Sequence, residues 1–278
     1  VTFIPTYKSL AISGYPSIKL SFATIRTIKK AIKDADLVFV QGPALLSYLS
    51  MYFGRKAGKT TVFYTHTIAW ELFEKFVPPI ANTIFFTLLK RLSIFFYNRC
   101  DVILVPYREL REELLHEGVK SRIIVARLGV DIAQFSPSPD KARSKQLLGI
   151  ASEKFVIGYV GRISKEKNIE LLLEAFKRLK RQEELHLLLV GDGPDGQVQP
   201  FREIPNVTIT GFVPDVQKYL KAMDAFVMPS LTETTSLATL EAMATGLPVI
   251  ATKVGFIKSY ISKDQNGMFF PRNRMRPP

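Results

Sequence analysis

The 278-residue chain carries 38 Lys or Arg against 25 Asp or Glu, a net charge of +13, with 47% hydrophobic and 23% charged residues. That balance excludes a fibrous or disordered chain, and the length suits two domains of ~100–200 residues. A single cysteine, Cys100, excludes an intramolecular disulfide framework and fits a reducing cytoplasm; next to the apolar run Val102 to Val105 it reads as a buried, inert thiol.

In chain order, the first half alternates short apolar runs with helix-like stretches. Leu37 to Val40, Thr61 to Tyr64, Val102 to Val105 and Ile123 to Ala126 read as buried strands, with helical spacing at Leu45 to Lys56 and Arg108 to Glu117. Such an alternation predicts a parallel sheet covered on both faces. Phe73 to Tyr97 stands apart, dense in Phe, Leu and Ile with Lys75, Lys90, Arg91 and Arg99 interspersed or adjoining. The central Lys90-Arg91 pair argues against a membrane span, at ~3 kcal/mol for each central charge. Two readings stay open for residues 73–99: a helix lying in an anionic bilayer interface, or a core helix with exposed cations.

The charge is uneven, with 21 basic against 11 acidic residues through Lys145 and 17 against 14 from Gln146 onward. This points the first half toward an anionic partner, a membrane or a nucleic acid, or to a solvated basic face. Pro137-Ser138-Pro139-Asp140 is the natural linker, dividing the chain into domains 1–140 and 141–278. A second βα series follows, with strands at Phe155 to Val160, Leu187 to Val190, Val207 to Thr210, Ala225 to Met228 and Pro248 to Ala251. Helices are predicted at Asn168 to Arg181, Val216 to Met223 and Ser236 to Thr245. The pattern predicts a doubly wound α/β domain with its ligand crevice at the carboxyl ends of the strands.

The chemistry concentrates at those ends. Glu233 falls at a strand-to-helix turn and Glu241 inside the following helix, which Ser236 and Leu237 open. Unsatisfied N–H groups and the positive dipole end of a helix favour a phosphate there. Carboxylates are acceptor-only groups suited to sugar and ribose hydroxyls. Two glutamates at this spacing are ordinary in any helix; the continuous run Pro229 to Thr252 is far more specific. It resembles the Glu-x7-Glu motif of family-4 glycosyltransferases with its Ala-Met-Ala-x-Gly-x-Pro-Val continuation. Gly158 to Asn168 is similar to the family's Gly-Arg-x4-Lys element, and Val190-Gly191-Asp192-Gly193-Pro194 to its Val-Gly-x-Gly-Pro turn.

The resemblance covers nearly all of the chain. It implies a GT-B architecture: two Rossmann-like doubly wound α/β domains facing a central cleft, acceptor on the first and nucleotide-sugar on the second. It also implies a retaining hexosyl transfer from a nucleoside-diphosphate sugar, as co-substrate, to an acceptor hydroxyl. By the same match Arg162, Lys167, Glu233 and His66 are the catalytic candidates. Gly161, Gly191, Gly193, Thr234, Thr235, Ser236, Leu237 and Glu241 are the donor-binding ones. Arg162 and Lys167 would neutralise the leaving diphosphate, so neither a metal nor another cofactor is expected. The basic, aromatic-rich first domain points to a lipid or lipid-linked glycan acceptor and to a cytoplasmic protein on the membrane face.

The chain also departs from the pattern. Thr234-Thr235-Ser236 replaces the common Gly-Phe-Gly, and Phe256 follows Gly255 where a second glycine is frequent. The family's opening strand with its Gly-rich turn and its closing helices are not found, so both domains read as incomplete. Alternatives are a glycan synthase or sugar-phosphate glycosyltransferase of this fold, an inactive donor-binding fragment, or a basic nucleic-acid-binding module. No nucleic-acid motif accompanies the charge, so nucleic acid is not expected as a partner. No Gly-x-Gly-x-x-Gly opens a helix after a strand, which disfavours a dinucleotide-dependent dehydrogenase.

Overall fold

The computed structural model describes residues 4, 6–12, 15–42, 44–65 and 82–271. The chain divides into two compact units, Val1–Arg127 and Leu128–Pro278, each with its own hydrophobic core. The division falls before the expected 140/141 boundary, because the segment ahead of the prolines is tied into the second unit. Gln134 Nε2 donates to Gln217 Oε1 at 3.2 Å, and Phe135, 8% exposed, packs in the second core. Asp140 caps the next helix by accepting the Arg143 N–H at 2.9 Å, so the proline pair bends a connection inside a folded unit.

The first unit opens with an antiparallel pair, β1 (Thr6–Ile12) and β2 (Tyr15–Ile18). Helix α1 (Phe22–Lys33) follows, capped by Ser21, whose Oγ accepts the Thr24 N–H. Strands β3 (Leu37–Gln41), β4 (Thr60–Tyr64), β5 (Val102–Val105) and β6 (Arg122–Val125) form a parallel sheet in that order. They alternate with α2 (Leu45–Lys56), α3 (Asn82–Tyr97) and α4 (Arg108–His116). The core rests on one face, where Val38, Val40, Phe63, Ile103 and Val105 meet Ile28, Ile32, Met51, Tyr97 and Leu114 from the helices. On the opposite face Leu37, Phe39 and Ile124 are exposed. The expected cover on both faces is therefore seen on one among the described residues. Cys100 is buried, with its Sγ 2.8 Å from Met51 Sδ, and burial pushes the thiol up to about 12, consistent with an inert thiol.

In the second unit, α5 (Lys141–Gln146) leads to a six-stranded parallel sheet. Its strands are β7 (Phe155–Val160), β8 (Leu185–Val190), β9 (Val207–Ile209), β10 (Ala225–Met228), β11 (Val249–Thr252) and β12 (Gly267–Phe270). The helices between them are α6 (Ile169–Arg178), α7 (Asp195–Arg202), α8 (Gln217–Leu220) and α9 (Leu237–Ala244). The sheet order β12-β11-β10-β7-β8-β9 is the doubly wound order 3-2-1-4-5-6 read from its far edge. Its strands are near-continuous apolar runs because both faces are covered: β10 is buried throughout, and Leu187, Leu188 and Leu189 are all 0% exposed. Chain direction reverses its winding between β7 and β10. In sheets of this kind the crevice at such a switch point, beyond the carboxyl ends of the strands, is where ligands bind.

Candidate functional site

Three loops gather at that switch point. After β7 the backbone turns at Gly161 (φ +147°), passes Arg162 and tightens into a 3-10 turn, Lys165–Lys167. Ser164 opens that turn and Asn168 ends it in the left-handed region. After β8, Gly191 and Gly193 lie against the first loop: a Cβ on Gly191 would stand 1.9 Å from the Gly161 carbonyl oxygen, and one on Gly193 2.0 Å from that of Ile163. The N–H of Gly161 donates to Val190 O at 2.9 Å and that of Ile163 to Asp192 O at 2.8 Å. Glycine is thus required at 191 and 193 by loop-to-loop packing.

The third loop follows β10 and carries the first motif glutamate. Lys167 Nζ lies 2.6 Å from Glu233 Oε1, with the two side chains 18% and 9% exposed. Ser230, fully buried, donates its hydroxyl to the same Oε1 at 2.7 Å. Thr252 Oγ1 in turn donates to the Ser230 carbonyl, and Leu231 N–H donates to Glu166 O at 2.9 Å. From the far side, Gly255 (φ +51°) presses on the loop so closely that a Cβ would stand 2.0 Å from Glu233 O. Phe256 N–H donates to Thr234 O at 2.8 Å. Both hydrogen bonds that the described residues give to the Glu233 carboxylate fall on Oε1.

Beyond Glu233, Ser236 takes a left-handed conformation (φ 51°, ψ 77°) and turns its hydroxyl to Thr239 Oγ1 at 2.8 Å instead of capping α9. The opening N–H groups of α9 therefore have no side-chain cap. Thr235 is 3% exposed, and its hydroxyl has no hydrogen-bond partner among the described residues. An orphaned buried hydroxyl of this kind is uncommon in folded proteins.

Residues 3–134 match the model for Glycosyltransferase Family 4, and residues 154–276 that for Glycosyl transferases group 1. The chain belongs to the family-4 glycosyltransferases. This family-4 chain is 28% identical over 222 residues to the alpha-monoglucosyldiacylglycerol synthase of Acholeplasma laidlawii, covering 76% of the chain and 54% of that protein. It is 30% identical to the GDP-mannose-dependent alpha-mannosyltransferase of Mycolicibacterium smegmatis, over 84% of the chain and 60% of the relative. The chain spans about half to three-fifths of the length of such curated relatives. Among solved structures, Anabaena HepE in complex with UDP-glucose superposes with a TM-score of 0.72 at 20% identity, over 89% of this chain and 68% of HepE. The fold is the expected GT-B class.

In this family-4 chain the structure joins Lys167 directly to Glu233 and places Gly161, Gly191 and Gly193 in one packed turn cluster. Arg162 stays at the rim, 61% exposed, 3.7 Å from Glu166. Glu241 sits within α9, half-buried, and burial raises its carboxyl above the usual carboxylate range. The predicted His66 lies outside the described residues. Sequence reasoning missed Tyr159, Ser230 and Thr252. Tyr159, fully buried, donates to the Arg162 carbonyl at 2.8 Å, and its phenol is raised first by burial and then by the Glu233 charge. The available signal for Ser230 was a hydroxyl three residues before the motif glutamate at a strand end. Two concavities of about 420 and 290 Å³ lie in the first unit and are lined by none of these motif residues. The first is an apolar recess beside the edge strand β3, and it is not where the chemistry gathers.

Proposed function

We propose that this chain is a retaining glycosyltransferase with its donor site in the second unit and its acceptor site in the first. It moves a hexose from a nucleoside-diphosphate sugar to a hydroxyl of a lipid or lipid-linked glycan. The observation that carries this reading is the Lys167–Glu233 pair between β7 and β10, beside the uncapped opening of α9. Arg162, Lys167 and the N–H groups after Ser236 take the diphosphate, neutralising the charge that builds on the leaving group without a metal or other cofactor. Glu233 Oε2, away from its own hydrogen bonds, accepts from a sugar hydroxyl, and Glu241 from the ribose diol. By its match to the family's motif, His66 is a further candidate for contact with the sugar. The diphosphate departs on the face that the acceptor approaches, which retains the anomeric configuration.

Support for a lipid acceptor comes from relatives in Acholeplasma laidlawii and Streptococcus pneumoniae that carry the name alpha-monoglucosyldiacylglycerol synthase. No helix among the described residues is long and apolar enough to cross a membrane. In this reading the protein works at the cytoplasmic membrane face, touching anionic lipid through the 73–99 segment. Thermal unfolding with UDP, GDP, UDP-glucose, UDP-galactose and GDP-mannose tests the donor site. A ligand at ~100 times its Kd stabilises the chain by about 2.7 kcal/mol. One nucleotide sugar should do so, and Arg162→Ala and Glu241→Ala should abolish the effect; no response from a folded chain to any of them overturns the reading.

A further inference from the structure

Helices α1, α2 and α3 present a surface that the donor site does not use. Together they contain eight Lys or Arg and no Asp or Glu. The helices are joined through their cations. Lys29 Nζ stands 4.9 Å from the centre of the Phe53 ring, linking α1 to α2, and Arg55 donates to the Arg99 carbonyl at 3.0 Å, linking the end of α2 to the residues just after α3. The acids nearby are Asp34, at the C-cap of α1, Asp36 two residues on, Asp101, 3.7 Å from Arg55, and Glu117, paired with Lys90.

The outward side of α3 is apolar where a water-facing helix would be polar. Leu88, Leu92 and Phe95 are 65%, 47% and 44% exposed, at a spacing of one helical turn, with exposed Arg91 among them. Arg99 stacks on Phe95 with its guanidinium carbon 3.3 Å from the ring centre. Phe22, at the start of α1, is 95% exposed. Between α1 and α2 lies a notch of about 290 Å³, walled by Ile32, Phe53 and Ala57 and bordered by Lys29 and Lys56. Apolar side chains among cations on adjoining helices match the headgroup zone of an anionic bilayer, where stems and rings bury and charges meet phosphate. A second copy of the same face fits poorly, since an isologous contact would bring these cations toward each other.

We propose that the α1–α2–α3 face docks on a bilayer of anionic phospholipid, with the Lys29–Lys56 notch receiving a headgroup phosphate. This carries the membrane part of the proposed function from the 73–99 segment to two further helices and rests on that part alone. The full chain is sedimented with vesicles of phosphatidylcholine, with and without 30 mol% phosphatidylglycerol, at low and high salt. Binding should require the anionic lipid and weaken with salt. Lys29→Glu/Lys56→Glu should weaken it at least about twenty-five-fold, at roughly fivefold for each cation lost. Lys177→Glu/Lys180→Glu, an equal charge change on exposed positions of the second unit, should leave it nearly unchanged. Lys29→Gln/Lys56→Gln, which adds no negative charge, should still weaken it. Equal binding to neutral vesicles, equal loss in both charge-reversed proteins, or dimerisation abolished by Leu92→Glu would each overturn the proposal. The nucleotide-sugar shift of the same variants, expected to be intact, separates this outcome from failure of the donor site.

Discussion

Lys167 and Glu233 stand 66 residues apart in sequence, yet their Nζ and Oε1 atoms are 2.6 Å apart at the switch point of the second sheet. Removing one member of a largely buried pair strands the other charge, whereas removing both strands neither. Lys167→Met and Glu233→Leu are each expected to cost about 3 kcal/mol, and Lys167→Met/Glu233→Leu less than either, in urea unfolding. Strict additivity of the two single costs would show that the charges do not compensate each other.

Glu241 opposes stability and function. Burial raises its folded pKa, so the stability it contributes is fully present below the unfolded carboxylate value of ~4.3 and lost as pH rises through the folded value. At pH 7 the ionised side chain is a cost. Glu241→Gln should therefore melt at a higher temperature at pH 7, with the difference gone by pH 4, while binding its nucleotide sugar at least about tenfold more weakly. A variant unchanged in both properties would remove Glu241 from the site.

Thr235 offers a test that needs no charge. Replacing an orphaned buried hydroxyl by a methyl of nearly the same shape relieves its desolvation, so Thr235→Val should stabilise the ligand-free chain by about 1 kcal/mol. If the hydroxyl meets a donor oxygen, the same variant loses part of the nucleotide-sugar shift. A destabilised Thr235→Val would mean the hydroxyl is already satisfied.

His186 is half-buried on β8, its Nε2 2.9 Å from Thr208 Oγ1. Burial first, and then the charge of Lys154, lower its pKa below ~6.5. A lowered folded pKa gives stability that is present above the unfolded value and lost as pH falls through the folded one. Melting temperatures followed from pH 7.5 to 5 should fall less steeply for His186→Gln than for the parent. Parallel curves would show that His186 does not bear on acid stability.

Much of the second unit was legible along the chain. Phe155–Val160 and Ala225–Met228 are strands as predicted, because strands buried on both faces become continuous apolar runs that propensity and burial specify alike. The first unit was less so. Leu45–Lys56 is the helix expected, but the apolar content of Leu37 to Val40 hid that alternate residues face opposite ways, Val38 and Val40 into the core and Leu37 and Phe39 outward. Pro137 and Pro139 gave the right local break and the wrong domain limit, since a proline reports backbone geometry and a domain limit is set by which core Phe135 enters.

The site divides the same way. The resemblance of Gly158 to Asn168 and of Pro229 to Thr252 to the family's motifs nominated Arg162, Lys167, Glu233 and Glu241, whose charge and hydrogen-bonding capacity suit the roles that the match implies. Which Glu233 oxygen is held, that Ser230 holds it, that Gly191 and Gly193 answer to Gly161 and Ile163, and that Gly255 braces the Glu233 loop depended on tertiary structure. Each is a contact between strand ends far apart in sequence, and only the winding order of the sheet, which sets β10 beside β7, brings those ends within hydrogen-bond reach.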